Sequence, residues 1–314
     1  MKSQRLEFEN FDGAFVTHGV DVIADPEDDA AVYIYAINHV PHPDLPKARS
    51  QVEVFHHVLG SSAIRHVRSV WHPLIRTPND VLATSPSSFY ITNDHLYAGH
   101  GIMRLIEDVY QNAKWTDTVL LRVDLATTGD SAAGVEASVA LDRMHNNNGL
   151  AHGRSSQEIL IASATGGELY FGDVSANGSL TVTERVEVDS VADNPSYFAD
   201  PFAGSGIDLS GFVVPGVSRG IELADTVRNP NATNPIMVWL LRSRPSTLEQ
   251  VHPWDKRLLF ADDGSRIRSA SGAVLVAIDP SEAPAASHDK NIRKAWLFVT
   301  GFQSQNMIAV KVDL

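Results

Sequence analysis

Five times along the chain a polar residue stands just before a pair of short β-type runs. The copies are "THGVDVIADPEDDAAVYIYAINH" from Thr17, "PNDVLATSPSSFYITNDH" from Pro78, "NNGLAHGRSSQEILIASA" from Asn147 and "DNPSYFADPFAGSGIDLSG" from Asp193. "ASGAVLVAIDP" from Ala270, followed by "KAWLFVTG", is a weaker fifth copy. The marked positions His18, Asn79, Asn148 and Asn194 are 61, 69 and 46 residues apart. A unit of that size holds about four strands, the content of one propeller blade. The fold expected is all-β, a β-propeller of about five recognisable blades forming a single domain over residues 1–314. In such a fold the first strand of each blade lines the central axis, so polar residues far apart in sequence are expected to converge there.

The rest of the chain agrees. Runs such as "QVEVFHHV", "DTVLLRVD", "ELYFGDV", "IMVWLLR" and "MIAVKVDL" are rich in Val, Ile, Tyr, Phe and Thr, with Gly, Pro, Asn, Asp or Ser between them. One segment breaks the pattern. "HGIMRLIEDVYQNA", His100 to Ala113, has apolar residues at Ile102, Leu105, Ile106, Val109, Tyr110 and Ala113, which is helical spacing with one apolar face. It is read as a helical insertion, about residues 100–113, lying over one end of the domain.

Composition narrows the function classes. A net charge of −13 argues against nucleic acid or an anionic membrane as partner, since both need a basic face. The absence of cysteine removes disulfides, thiolate metal sites and a Cys nucleophile. The opening "MKSQRLEFENFDG" has no apolar h-region, and "IMVWLL" is too short to cross a bilayer. A soluble, cytoplasmic monomer acting on a small molecule is the expectation, with the compartment open because a missing N-terminus would have carried any signal or anchor.

A ring of Asn and Asp oxygens suits a hard cation. Calcium takes six to eight oxygens from carboxylates, amides, backbone carbonyls and water. Asn79, Asn148, Asp193 and Asn194 supply amide oxygens and a carboxylate, and Asp80 adds a second carboxylate nearby. Each alone reads equally well as a turn residue before a strand. The repeat register is what singles out the set.

These stretches, with "INHVPHPD" and "VADN", resemble the serum paraoxonase/arylesterase family, with the motifs in the same order from about residue 10 onward. The resemblance implies a six-bladed propeller with two calcium ions on its axis, hydrolysing lactones, aryl esters and some phosphotriesters. By that resemblance Asn79, Asn148, Asp193 and Asn194 correspond to ligands of the catalytic calcium, and Asp80 to a ligand of the structural one. His18 and His39 match a histidine dyad that activates water. His95 matches a histidine near the site, and the helix after it resembles one lying over the active-site mouth. One departure is expected to weaken calcium binding: the family's stretch before "THGV", with its Glu-Asp pair, has no counterpart here, and its paired cysteines are absent too.

Other readings compete. "GVSRG", Gly216 to Gly220, fits the nucleophile-elbow pattern around Ser218, with His252 and His288 downstream, but that motif needs a long helix after it and the chain reaches Pro within ten residues. His42, His56 and His57 are taken as surface or packing residues. A calcium-binding propeller without catalysis, and an enzyme like the gluconolactonases or strictosidine-synthase-like proteins, are the alternatives to the esterase.

Overall fold

In the computed structural model each repeat copy lies in a sheet of its own, although Asp193, at the head of the fourth copy, falls between two strands. The structure describes residues 4–42, 44, 48–99, 101–205, 207–229, 231–244, 254–282 and 293–314. His100, His252 and His288 lie outside the described residues.

The first sheet contains β1 (Glu7–Phe8), β2 (Thr17–Asp25), β3 (Asp28–Pro41), β4 (Ala48–Val58) and β5 (Ala63–Val70), in the order β1-β5-β4-β3-β2. The second runs β6 (Pro78–Ser85), β7 (Ser88–Asn93), β8 (Thr116–Val123), β9 (Val135–Met144), and the third β10 (Asn147–His152), β11 (Glu158–Ser163), β12 (Glu168–Val174), β13 (Leu180–Glu187). In the fourth, β14 (Val191–Ala192) and β15 (Ser196–Phe198) both pair with β16 (Gly211–Val217), which is followed by β17 (Ile236–Ser243) and β18 (Trp254–Asp262). The fifth holds β19 (Ala270–Ala277), β20 (Lys294–Gly301) and β21 (Ile308–Asp313). The all-β, five-blade propeller reading therefore holds. Among the described residues β21 pairs only with β20, which leaves it an edge strand.

Contacts group the chain into two units: Met1–Leu150 with Asp173–Thr181, and Ala151–Gly172 with Val182–Leu314. In the first, alternate residues of neighbouring strands make the core: Tyr35 and Ile37, Val52 and Val54, Val81 and Ala83, Phe89 and Ile91, Val119 and Leu121. Phe8, Phe11 and Phe15 pack around Phe55 and fix the chain that leads into β2. In the second unit, one core gathers Val213, Val238 and Leu240 with Leu275, Leu297 and Val299. Another gathers Leu160, Phe171, Phe212 and Trp254.

Two irregularities in the pairing matter for the site. Thr17 faces Asn38 and Val20 faces Ala36, so His18 and Gly19 together oppose Ile37. Likewise Pro78 faces Asn93 and Val81 faces Ile91, so Asn79 and Asp80 together oppose Thr92. Each is a β-bulge, which bends the strand and re-aims side chains. Gly19 lies tight against the second bulge. A Cβ there would fall 2.5 Å from Asp80 Cα and 2.6 Å from the Asn79 carbonyl oxygen, both backbone atoms. Glycine is thus required by close approach.

The insertion is a shorter helix than its sequence pattern predicts, α1 (Ile102–Val109), ending at an extended Tyr110. Its apolar stripe points away from the protein: Ile102, Leu105 and Val109 are 75%, 60% and 70% exposed. The polar side faces inward because it has partners there. Buried Glu107 accepts the backbone N–H groups of Leu96 (2.7 Å) and Tyr97 (3.0 Å). Two charge-assisted bonds and the ion pair described below set the helix orientation, against the apolar preference.

Candidate active site

The first unit carries an open cavity of about 1250 Å³ whose wall includes His18, His39, Ser50, Asp94 and His95. The bulge at His18 and the end of β3 bring the two expected dyad histidines together: His18 Nδ1 lies 3.0 Å from His39 Nε2. His39 Nδ1 in turn lies 2.7 Å from Ser50 Oγ, its cross-strand partner on β4. On the other side, Asn79 Nδ2 is 3.5 Å from His18 Nε2 and donates to Asp94 Oδ2 at 3.3 Å. One assignment of ring protons satisfies the whole chain. Asn79 points its amide N–H at His18 Nε2, His18 Nδ1–H donates to His39 Nε2, and His39 Nδ1–H donates to Ser50. The unprotonated Nε2 of His18 is then on the Asn79 side.

His18 is exposed by area, yet the protein atoms around it desolvate the ring enough to hold its pKa below the usual histidine value, against the raising effect of Asp94. His39 is lowered too, by burial first and by His18 second. Both rings are therefore neutral at neutral pH, the state a general base requires.

Asp80 is buried and accepts N–H bonds from Leu150 (2.7 Å) and Val81 (2.9 Å). Burial still pushes its carboxyl up to about 7, and nearby Asp21 adds to the rise. The amide oxygens of Asn148 and of its neighbour Asn147 are buried with no hydrogen-bond partner. Each would cost about 1–3 kcal/mol if left so. In the second unit, Asp193 N–H donates to the Pro215 carbonyl and Asn194 N–H to that of Ser271. The Asn194 side-chain oxygen is likewise buried and unpartnered. Among the described residues no three His, Asp or Glu side chains form a metal cluster. The unsatisfied donors are mainly amide oxygens, which suit a hard cation rather than zinc or copper.

His95 sits behind this chain. Its Nδ1 is 2.8 Å from Asp94 Oδ1 and its Nε2 is 3.0 Å from Asp108 Oδ1 on α1, which Arg104 also holds. Burial lowers the His95 pKa, but the hydrogen bonds to Asp108 and Asp94 outweigh it and raise the value to about 9. Asp108, pushed up by burial, is drawn below the usual carboxylate range by His95 and Arg104. A histidine raised in the folded state contributes fully below its free value of 6.5, and the contribution is lost as pH rises through about 9. Amide exchange in α1 is therefore expected to accelerate between about pH 7 and 10, beyond the intrinsic base-catalysed rise, and Asp108→Asn to remove that step. An exchange profile without the step in the native protein would show that His95 does not anchor the helix.

Ser50, Asp94, Asp108, Gly19 and Asn147 were not singled out from sequence. Asp94 stood inside the "TNDH" motif, and Asp108 on the polar face of the helical segment; Ser50 is found only through strand register. Ser218 makes no nucleophile elbow. Its Oγ donates to the Pro235 carbonyl at 3.1 Å, and the helix that follows, α2 (Leu223–Thr226), has four residues. His56 pairs with Asp25 at 2.9 Å and His57 with the Ala63 carbonyl at 2.8 Å, as packing residues do, while His42 lines the cavity wall.

The profile of the Arylesterase family matches residues 8–277. The chain belongs to the arylesterase family. Serum paraoxonase/arylesterase 2 of Gallus gallus is 26% identical over 264 residues, covering 84% of this chain and 64% of the relative. Serum paraoxonase/arylesterase 2 of Homo sapiens is 26% identical over 191 residues, 61% of this chain and 48% of the relative. Serum paraoxonase/lactonase 3 of Oryctolagus cuniculus is 26% identical over 208 residues, 65% of this chain and 51% of the relative. This arylesterase-family chain thus spans about half to two thirds of the length of the relatives it matches. No helix among its described residues is long and apolar enough to cross a membrane.

Proposed function

We propose that this chain hydrolyses carboxylic esters and lactones at the His18–His39 cavity, with calcium as cofactor. The observation that carries the reading is the 3.0 Å contact between His18 and His39 beside Asn79. His18 Nε2, which Asn79 approaches only to 3.5 Å, takes the proton of a water whose oxygen bonds to the substrate carbonyl carbon, and returns that proton to the oxygen that leaves as the ester C–O bond breaks. His39 receives the Nδ1–H bond that strengthens as His18 becomes charged, and Ser50 fixes the His39 ring. Asp94 turns the amide N–H of Asn79 toward itself, which leaves the Asn79 oxygen facing away from the carboxylate.

In the first unit Asn79, Asn148 and Asp80 have the donor chemistry for calcium, and the orphaned Asn148 oxygen supports it. Asp193 and Asn194 are the second unit's candidates, supported by the orphaned Asn194 oxygen. When bound, calcium supplies Lewis-acid polarisation of the carbonyl and stabilises negative charge on its oxygen.

The test is hydrolysis of phenyl acetate and a small lactone with calcium and with chelator, alongside calorimetric titration of calcium. Asn148→Ala is expected to weaken calcium binding about 10–100-fold, by analogy with losses seen around metal sites. Calcium binding unaffected by Asn148→Ala would remove the cofactor assignment. A folded, calcium-binding protein with no turnover would leave a binding propeller.

A further inference from the structure

We infer that the preferred substrate carries a carboxylate on the part of the ester or lactone that does not react, and that Arg49 receives it. The inference rests on the proposed ester hydrolysis at the same cavity, and it adds what the dyad leaves open: which molecules enter.

Three arginines line the cavity, Arg49, Arg76 and Arg104, although the protein as a whole has 38 acidic against 25 basic residues. Two are already committed. Arg76 is ion-paired with Asp117, and Arg104 with Asp108 at 3.0 Å. Among the described residues no carboxylate lies within ion-pair distance of Arg49. Its guanidinium instead rests over the Trp71 ring, 4.5 Å from the centroid, and Trp71 lines the same wall. Stacking on an indole holds the planar group in place and leaves its edge N–H groups free, the geometry that takes a carboxylate in bidentate fashion.

Position fits the task. Arg49 is the residue before Ser50 on β4, and Ser50 is the residue that fixes His39. Successive side chains of a strand point to opposite faces, so what brings Arg49 to the site is the cavity, whose wall includes Arg49, Ser50, His18 and His39. A substrate whose carbonyl lies at the histidines can extend its far end to Arg49 within the same cavity. Of the carboxylates on the wall, Asp94 is engaged by Asn79 and His95. Asp44, on the rim, is exposed. An aromatic or apolar middle to the substrate would lie along Trp71.

The experiment compares monophenyl glutarate with its neutral methyl ester, on the full chain with calcium. The native protein is expected to favour the acid about tenfold in kcat/KM, through KM, at low salt, with the preference shrinking in 0.5 M salt. Arg49→Gln is expected to bring the ratio of the two esters to about one, a readout internal to each preparation. Binding without turnover is followed in parallel by Trp71 fluorescence, with Trp71→Phe to assign the signal. The probes are 4-phenylbutyrate and 4-phenylbutanol. The acid is expected to bind about tenfold tighter than the alcohol, and Arg49→Gln to abolish the difference. Esters hydrolysed without preference, or an acid that binds no better than the alcohol, overturn the inference. If neither ester is hydrolysed but the acid binds through Arg49, the hydrolase reading falls and the carboxylate site stands.

Discussion

His18→Gln is expected to lower kcat/KM for phenyl acetate by about 10²–10⁴-fold, the usual contribution of a positioned general base. The fold is expected to survive. His18 opens on the cavity, sits off the strand pairing, and bonds only to His39 and Asn79. Gln keeps a polar side chain of similar reach at a position outside the strand pairing, so the Tm is expected to move by about 2 °C or less. His39→Gln is expected to cost less, since His39 acts through His18 and Gln can still accept the Nδ1–H bond. The outcome that sinks the dyad is an His18→Gln protein of native Tm that keeps its rate within tenfold. A loss of rate together with a large fall in Tm would instead place His18 among the structural residues.

Glu53→Ala is expected to have the largest effect on stability, about 3–5 kcal/mol, as for a buried charge network deprived of one member. The Glu53 side chain is fully buried and accepts from four donors: Asn38 (2.9 Å), Gln51 (2.7 Å), His66 (2.9 Å) and Ser69 (2.6 Å). Burial pushes its carboxyl up, but these four bonds outweigh that and hold it below the usual value. A depressed carboxylate stabilises above its free pKa of about 4.5 and loses that contribution as pH falls through the folded value. Removing the carboxylate leaves buried donors without an acceptor. It also loosens Asn38, which donates to the Ala14 carbonyl and accepts from Val16 N–H, just ahead of His18. Urea unfolding at pH 7 and pH 4 measures both effects. A midpoint unchanged by Glu53→Ala would show that the network contributes nothing.

Much of this was legible in the sequence, for physical reasons that can be named. Thr17, Pro78, Asn147 and Ala270 each begin a strand, where the repeat register puts them. A turn residue followed by alternating apolar residues can hardly fold otherwise. The helix was legible in kind but not in orientation. Periodicity finds an apolar face; it does not reveal that Glu107 and Asp108 have stronger claims on the opposite one. The histidine dyad was legible from the motifs that carry the family likeness, but its partners were not. Ser50 meets His39 by strand register, and Asp94 meets Asn79 across the β6–β7 hairpin, and neither relation shows in the linear sequence. Arg49 gave no signal at all, since only the fold places Trp71 beneath it.

The two bulges carry a consequence for how such a protein changes over time. Positions 18–19 and 79–80 stand outside the pairing ladder, so the sheets do not register which side chains occupy 18 and 79. Substitution there leaves every downstream partner in place, and the side chains at 18 and 79 are open to exchange while the sheets assemble as before. Loss of a single residue from either bulge is another matter. It would restore one-to-one pairing with every downstream partner kept, but it would straighten the strand and lose the re-aimed side chain. At positions 18 and 79 the sheets thus tolerate a change of side chain, while a change of length keeps the sheet and loses the bend that aims it.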